Sequence, residues 1–73
     1  MKLSIIVPAY NEELTIVEVL HEVNGQQIDG VNFEVIVIDD GSTDATLALL
    51  EENSGLYSKL IKMEKNGKII INL

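Results

Sequence analysis

The sequence contains no cysteine, no arginine and no apolar run long enough to cross a bilayer. Without cysteine, neither disulfide bonds nor thiolate metal ligands can stabilise the 73 residues, which lie near the lower size limit for an independent hydrophobic core. A transmembrane helix needs about 18 consecutive apolar residues, and Pro8, Tyr10 and Glu12 interrupt the apolar stretch at the N-terminus. We therefore expect a single soluble, cytoplasmic domain.

Acidic side chains outnumber basic ones by twelve to five, which gives a net charge of −7. A surface with this charge repels phosphate backbones, so nucleic acid is not expected as a partner. A nucleotide diphosphate would meet the same repulsion and would need a divalent cation or positive groups supplied from elsewhere. The hydrophobic fraction of 47% nevertheless indicates a globular chain rather than a disordered one.

Apolar strands alternate with amphipathic helices along the chain. Strands are predicted at residues 3–8, 33–38 and 59–63, where apolar runs end at turn-forming residues. The first helix is predicted to run from an N-cap at Asn11 to about residue 25, and the second from a cap at Ser42 or Thr43 to about residue 55. The turn signal Asn66-Gly67, followed by three isoleucines, predicts a C-terminal β-hairpin.

The order β-α-β-α-β predicts an α/β fold whose parallel strands are joined by right-handed crossovers. If the strands follow one another in one direction across the sheet, both helices lie on the same face. The other face would then be bare, although the strands carry apolar side chains on both sides. Such a face is not expected on a soluble monomer, so we expect further polypeptide or a second copy of the chain to cover it.

Two strand ends carry residues that could bind a ligand. One strand ends in Asp39 and Asp40, and another ends at Pro8, with Tyr10 and Glu12 just beyond it. In α/β proteins, ligands bind at the carboxyl ends of parallel strands. Adjacent strand residues point in opposite directions, so one aspartate can face a ligand while the other braces the following loop. Tyr10 offers an aromatic face for a base, and Glu12 an acceptor for ribose hydroxyls.

Each strand end also has a purely structural interpretation. Asp, Gly and Ser are common turn residues, so residues 39–44 could simply form a turn and cap a helix, and residues 8–12 could do the same. The sequence has neither a Gly-x-Gly-x-x-Gly nor a P-loop pattern, and its acidic residues do not match the spacing of an EF-hand. His21 has no second histidine or cysteine with which to share a metal ion, so we interpret it as an ordinary helix residue.

Taken together, the two strand ends resemble the opening of a family 2 glycosyltransferase of the dolichol-phosphate mannosyltransferase type. The resemblance rests on the segments Ile6-Val-Pro-Ala-Tyr-Asn-Glu12 and Val37-Ile-Asp-Asp-Gly-Ser-Thr-Asp44 and on the distance between them. It covers residues 1–66 and implies the Rossmann-like nucleotide half of a GT-A fold, a parallel sheet fragment of the three-layer type. It also implies a pocket for the nucleoside of a UDP- or GDP-linked sugar, lined by Pro8, Tyr10, Glu12, Ile38, Asp39 and Asp40.

The resemblance also has gaps. The Asp-x-Asp motif that holds Mg²⁺ or Mn²⁺ in intact relatives, and the general base, would lie beyond Leu73. No catalytic residue, metal ligand or cofactor is therefore assigned to this chain, and residues 67–73 are interpreted as a divergent tail. We expect a truncated donor-binding portion that is inactive alone and binds a nucleoside diphosphate sugar weakly or not at all. The alternative is a non-enzymatic α/β remnant that self-associates through its uncovered sheet face.

Overall fold

The computed structural model describes residues 1–63 and, for the backbone alone, residues 69–72. In chain order the elements are β1, α1, β2, α2, a short 3₁₀ helix, β3 and β4. Their bounds are Lys2–Ala9, Ile16–Asn24, Asn32–Asp39, Thr46–Glu52, Ser54–Leu56, Lys59–Met63 and Ile69–Asn72. The predicted α/β class is confirmed, and each of the three predicted strands is present at nearly its predicted position.

The described strands form one sheet in the order β1-β2-β3-β4. β1, β2 and β3 are parallel, and their register places Val7 beside Val37 and Val37 beside Leu60. β4 runs antiparallel to β3, with Ile71 beside Ile61. This pairing agrees with the predicted hairpin, whose turn lies outside the described residues.

Both helices pack on one face of the sheet. Strand residues that point to this face, among them Val7, Val37 and Leu60, form one buried cluster with Leu20 of α1 and Leu50 of α2. Side chains alternate between the two faces of a strand, so only every second residue of each strand enters this core. Within the described residues the fold therefore has two layers, a sheet and a pair of helices.

The helices are short, and their burial follows their apolar spacing. α1 has nine residues and buries Ile16 and Leu20, four positions apart, while Glu18 and Glu22 remain exposed. α2 has seven residues and buries Thr46 and Leu50. No helix among the described residues has the length and apolar character required to cross a membrane.

The opposite face of the sheet, here called the open face, has no helix over it among the described residues. Its apolar residues are Ile6, Ile36, Ile38 and Ile61, which lie beside one another in the strand register. Ile6 is 52% exposed, and the other three are only partly buried. The prediction that both helices share one face and leave the other bare is therefore confirmed for this part of the chain.

Both helix starts differ from the prediction. α1 begins at Ile16, five residues after Asn11, whose φ of +49° lies outside the extended region that an N-cap residue usually adopts. α2 begins at Thr46, so neither Ser42 nor Thr43 caps it directly. The predicted caps were wrong because these polar side chains make hydrogen bonds to another part of the chain, described below, instead of to the helix that follows them.

Truncation of the Leu20 side chain tests how far the stability of this small core depends on a single residue. It is 0% exposed, whereas Leu14, in the loop before α1, is 92% exposed. We expect Leu20→Ala to lower the free energy of unfolding by about 2–5 kcal/mol, and the control Leu14→Ala to change it by less than about 0.5 kcal/mol. Urea unfolding followed by circular dichroism measures both values. Equal losses in the two variants would contradict the placement of Leu20 in the core.

Candidate functional site

Two loops follow the carboxyl ends of β1 and β2 and lie side by side. The first loop comprises residues 10–15, and the second loop comprises residues 40–45. The strand register places Pro8 beside Ile38 and Ala9 beside Asp39. The Asp40 N–H donates to the Ala9 carbonyl at 2.9 Å, which extends the pairing into the loops. The fold therefore brings together the two strand ends that the sequence singled out.

The predicted site residues differ in their exposure. Those with exposed side chains are Pro8, Tyr10, Glu12 and Asp40. Ile38 is partly buried on the open face, and Asp39 is buried. The Tyr10 side chain is more than half exposed, so its ring is accessible to a ligand. Contact between any of these residues and a ligand stays a prediction.

Asp39 braces the second loop from inside the protein. Its Oδ2 accepts a hydrogen bond from the Ser42 N–H at 3.2 Å, and its Oδ1 accepts one from Ser42 Oγ at 2.5 Å. A buried carboxylate has to be satisfied by donors, and Ser42 supplies two. One aspartate of the pair was expected to face a ligand and the other to brace the following loop. Asp39 has the geometry of the bracing residue. Asp40 is the one that is open to a ligand.

Asn11 joins the two loops through its side-chain amide. Its Oδ1 accepts hydrogen bonds from the Thr43 N–H at 2.8 Å and from the Asp44 N–H at 3.3 Å. Its own backbone N–H donates to Ser42 Oγ at 3.0 Å. Because Ser42 Oγ donates in turn to Asp39, a chain of hydrogen bonds runs from the first loop to the buried carboxylate.

Thr46 and Asp44 make a second connection between the loops. The Glu12 N–H donates to Thr46 Oγ1 at 2.7 Å, and the Glu13 N–H donates to Asp44 Oδ2 at 3.3 Å. Thr46 is fully buried, and both its N–H and its hydroxyl donate to Asp44 Oδ1. The start of α2 is thereby tied to the backbone of the first loop.

The contacts that join the loops involve four residues for which the sequence did not predict this role: Asn11, Ser42, Asp44 and Thr46. A signal for Asn11 was available, since asparagine both tolerates positive φ and hydrogen-bonds to backbone groups in turns. The presence of an asparagine does not indicate which backbone groups its side chain will contact. Here those groups lie more than thirty residues away in sequence.

The surroundings of Asp44 keep its carboxyl group ionised. Removal from solvent by itself raises the pKa of this group, but hydrogen bonds from the Thr46 hydroxyl and from the N–H groups of Thr46 and Glu13 outweigh that effect. The pKa of the Asp44 carboxyl is therefore held below its ordinary value. At neutral pH it remains a charged acceptor for both loops.

The described residues do not form a metal site by themselves. Among residues 1–63, no group of three or more His, Cys, Asp or Glu side chains is placed to hold a metal ion. The Asp39 carboxylate, which lies at the carboxyl end of β2, already accepts two hydrogen bonds from Ser42.

Residues 4–72, which include both loops of the candidate site, match the family model described as Glycosyl transferase family 2. The chain belongs to this family. The resemblance drawn from the two strand ends is thereby confirmed, and the parallel α/β sheet described above is consistent with the fold that it implied. The match extends to residue 72, while the boundary between a domain at residues 1–66 and a tail at residues 67–73 stays a prediction.

Known relatives of this family 2 member are similar over most of its length. It is 43% identical over 68 residues to the poly(ribitol-phosphate) beta-N-acetylglucosaminyltransferase TarS of Staphylococcus aureus, a match that covers 92% of the chain and 12% of TarS. It is 36% identical over 66 residues to the dolichol-phosphate mannosyltransferase of Pyrococcus furiosus, covering 89% of the chain and 18% of that enzyme. The chain therefore spans less than a fifth of either relative. No solved structure gives a significant match.

The lowered pKa of Asp44 predicts that the loop contacts are sensitive to acid. The unfolded chain has the ordinary value of 3.8 for this carboxyl, and the folded chain has a lower one. The stabilisation is therefore fully present above the unfolded pKa and is lost as the pH falls through the folded pKa. An NMR titration of the Asp44 side-chain carboxyl carbon measures the folded value, and the urea-unfolded chain supplies the reference.

The matched control for this titration is Asp44→Asn, which keeps the shape of the side chain but cannot titrate. Between about pH 5 and about pH 3, the stability of this variant should fall less than that of the wild type. A folded midpoint at or above that of the unfolded chain would show that Asp44 does not stabilise the loops as a carboxylate.

Proposed function

We propose that this chain is the nucleoside-binding portion of a family 2 glycosyltransferase that uses a UDP- or GDP-linked sugar. The observation that carries the proposal is the placement of Tyr10 and Asp40. Both are exposed on adjoining loops at the carboxyl ends of two neighbouring parallel strands, which is the place where α/β proteins bind nucleotides. Membership of a glycosyltransferase family supports a sugar nucleotide as the ligand.

In this proposal the exposed side chains recognise different parts of the nucleoside. The Tyr10 ring stacks on the base, the Asp40 carboxylate accepts hydrogen bonds from N–H groups at the base edge, and Glu12 accepts hydrogen bonds from ribose hydroxyls. Pro8 and Ile38, which are neighbours in the strand register, add apolar contact. Asp39 takes part indirectly, because it fixes the loop that carries Asp40.

The charge of the chain favours the nucleoside over the diphosphate as the part that is recognised here. A net charge of −7 repels the diphosphate, so we expect weak binding by this chain alone. In intact relatives the resemblance implies Mg²⁺ or Mn²⁺, which would stabilise the leaving diphosphate. Because no general base or metal ligand is assigned to these residues, we expect them to have no transferase activity by themselves.

Titration with UDP and with GDP, each with and without Mg²⁺, tests the proposed site. We expect the NMR amide signals of Tyr10, Glu12 and Asp40 to shift with one of the two nucleotides, with an apparent Kd in the millimolar range. Replacing the ring in Tyr10→Ala should weaken binding by about 5-fold or more, since one base–aromatic stack contributes about 1–3 kcal/mol. The control Tyr10→Phe keeps the ring and should bind as the wild type does. Folded protein that shows no shift with either nucleotide would refute the proposal.

A second candidate function is self-association, and the open face favours it. Ile6, on the edge strand β1, is 52% exposed and belongs to an apolar surface that also includes Ile36, Ile38 and Ile61. Burying such a surface against a second copy would be favourable, while the net charge of −7 opposes the approach of two copies. Self-association is therefore expected to strengthen as added salt screens this repulsion.

Sedimentation of the wild type and two lysine variants tests self-association. We expect the dimer fraction to rise with ionic strength and to disappear in Ile6→Lys, which places a charge on the open face. The control Ile28→Lys introduces the same charge at a side chain that is 58% exposed and lies in the loop before β2, outside the strands that form the sheet, and it should leave the dimer fraction of the wild type largely intact. A wild type that remains monomeric at millimolar concentration and high salt would rule out this function.

A further inference from the structure

We propose that Asn11 is a positioning residue for the nucleoside site. In this inference its amide oxygen holds the second loop against the first, and so fixes where Asp40 stands relative to Tyr10 and Glu12. The ligand part of the inference rests on the proposed function, whereas the contact between the loops is independent of it.

The backbone of Asn11 is the first reason for this assignment. The chain bends at Tyr10 and Asn11, and Asn11 has a φ of +49°. This conformation is uncommon for residues other than glycine, and asparagine is among the few that adopt it readily. Because Asn11 lies directly between Tyr10 and Glu12, its conformation decides how these two exposed side chains are placed relative to each other.

The side chain of Asn11 is the second reason. A single oxygen, Oδ1, accepts from the Thr43 N–H at 2.8 Å, from the Asp44 N–H at 3.3 Å and from Thr43 Oγ1 at 3.4 Å. These donors lie in the loop that begins at Asp40. Only a residue that combines positive φ with a short acceptor side chain can make these contacts from this position. Glycine meets the first requirement and alanine meets neither.

The contacts of Asn11 lie at the surface, so their loss should change the position of the second loop without unfolding the domain. Thr43 is exposed and Asp44 is partly buried, so water can replace the Asn11 acceptor when it is removed. The core around Leu20 and Val37 does not include Asn11. Loss of the amide should therefore release residues 43–44 while the domain stays folded, which distinguishes Asn11 from a residue that supports the fold as a whole.

Three variants of the full chain test the inference. Asn11→Gly keeps access to positive φ but lacks the acceptor, Asn11→Ala lacks both, and Asn11→Asp keeps a short acceptor at the same position. The first measurement, made without ligand, is solvent exchange of the Thr43 and Asp44 amides by NMR, with the Val37 amide as the core reference. The second is the affinity for UDP and GDP, measured from the amide shifts of Tyr10 and Asp40.

In Asn11→Gly we expect exchange of the Thr43 and Asp44 amides to become faster by about 5-fold or more, as loss of one hydrogen bond predicts. Exchange at Val37 should stay as slow as in the wild type. The nucleotide Kd should rise by a similar factor in Asn11→Gly and further in Asn11→Ala. Asn11→Asp should restore most of the protection of the Thr43 and Asp44 amides, while its added negative charge should keep the affinity for the diphosphates below that of the wild type.

Any of three other outcomes would overturn a part of the inference. Unchanged exchange of Thr43 and Asp44 in Asn11→Gly would overturn the contact between the loops. Faster exchange with an unchanged Kd, in a protein whose wild type binds nucleotide, would overturn the positioning role. A wild type that binds neither nucleotide would overturn the proposed function and the ligand part of this inference, and the exchange data would still decide whether Asn11 holds the loops together.

Discussion

The parallel register between β1 and β2 is the constraint on which the rest of the structure depends. It places Ala9 beside Asp39, so the two strands end at the same level and their loops begin together. The hydrogen bond from Asp40 to Ala9 continues that register by one residue. A slip of one residue would turn every side chain of β2 to the other face. Asp39 would then leave the core, and Ser42 would lose the carboxylate that holds the second loop in place.

The same topology produces both the candidate site and the open face. The strands follow one another across the sheet as β1, β2 and β3, and right-handed crossovers that step in one direction place both helices on the same side. Parallel pairing therefore aligns the carboxyl ends of the strands for a ligand, while it leaves Ile6 and Ile36 on the other side without a helix among the described residues. The apolar character of these isoleucines is that of central strands in a parallel sheet, which are usually covered on both faces.

The strands and the packing face could be predicted from the sequence, whereas the contacts between the loops could not. The runs of apolar, β-branched residues around Val7 and Val37 predict buried strands, because such residues are enriched in β-strands. The hydrogen-bond partners of Asn11, Ser42 and Thr46 could not be predicted, because a polar side chain next to a helix can either cap that helix or bond to another part of the chain. The partners that join the two loops lie more than thirty residues away, so these contacts depend on the register of β1 with β2, which local sequence does not contain.

Asp39, at the end of β2, and the two aspartates of the second loop show why composition alone gives an incomplete view of this site. Asp39 accepts two hydrogen bonds from Ser42, and Asp44 accepts hydrogen bonds from Thr46 and Glu13. Two of the three carboxylates are thus acceptors for the protein's own backbone and hydroxyl groups, and only Asp40 is exposed. A carboxylate that already accepts hydrogen bonds from the protein would have to give them up to contact a ligand directly. Of the three aspartates, Asp40 alone keeps its side chain exposed to solvent, and it is the one that the proposed function uses to accept hydrogen bonds from a nucleoside.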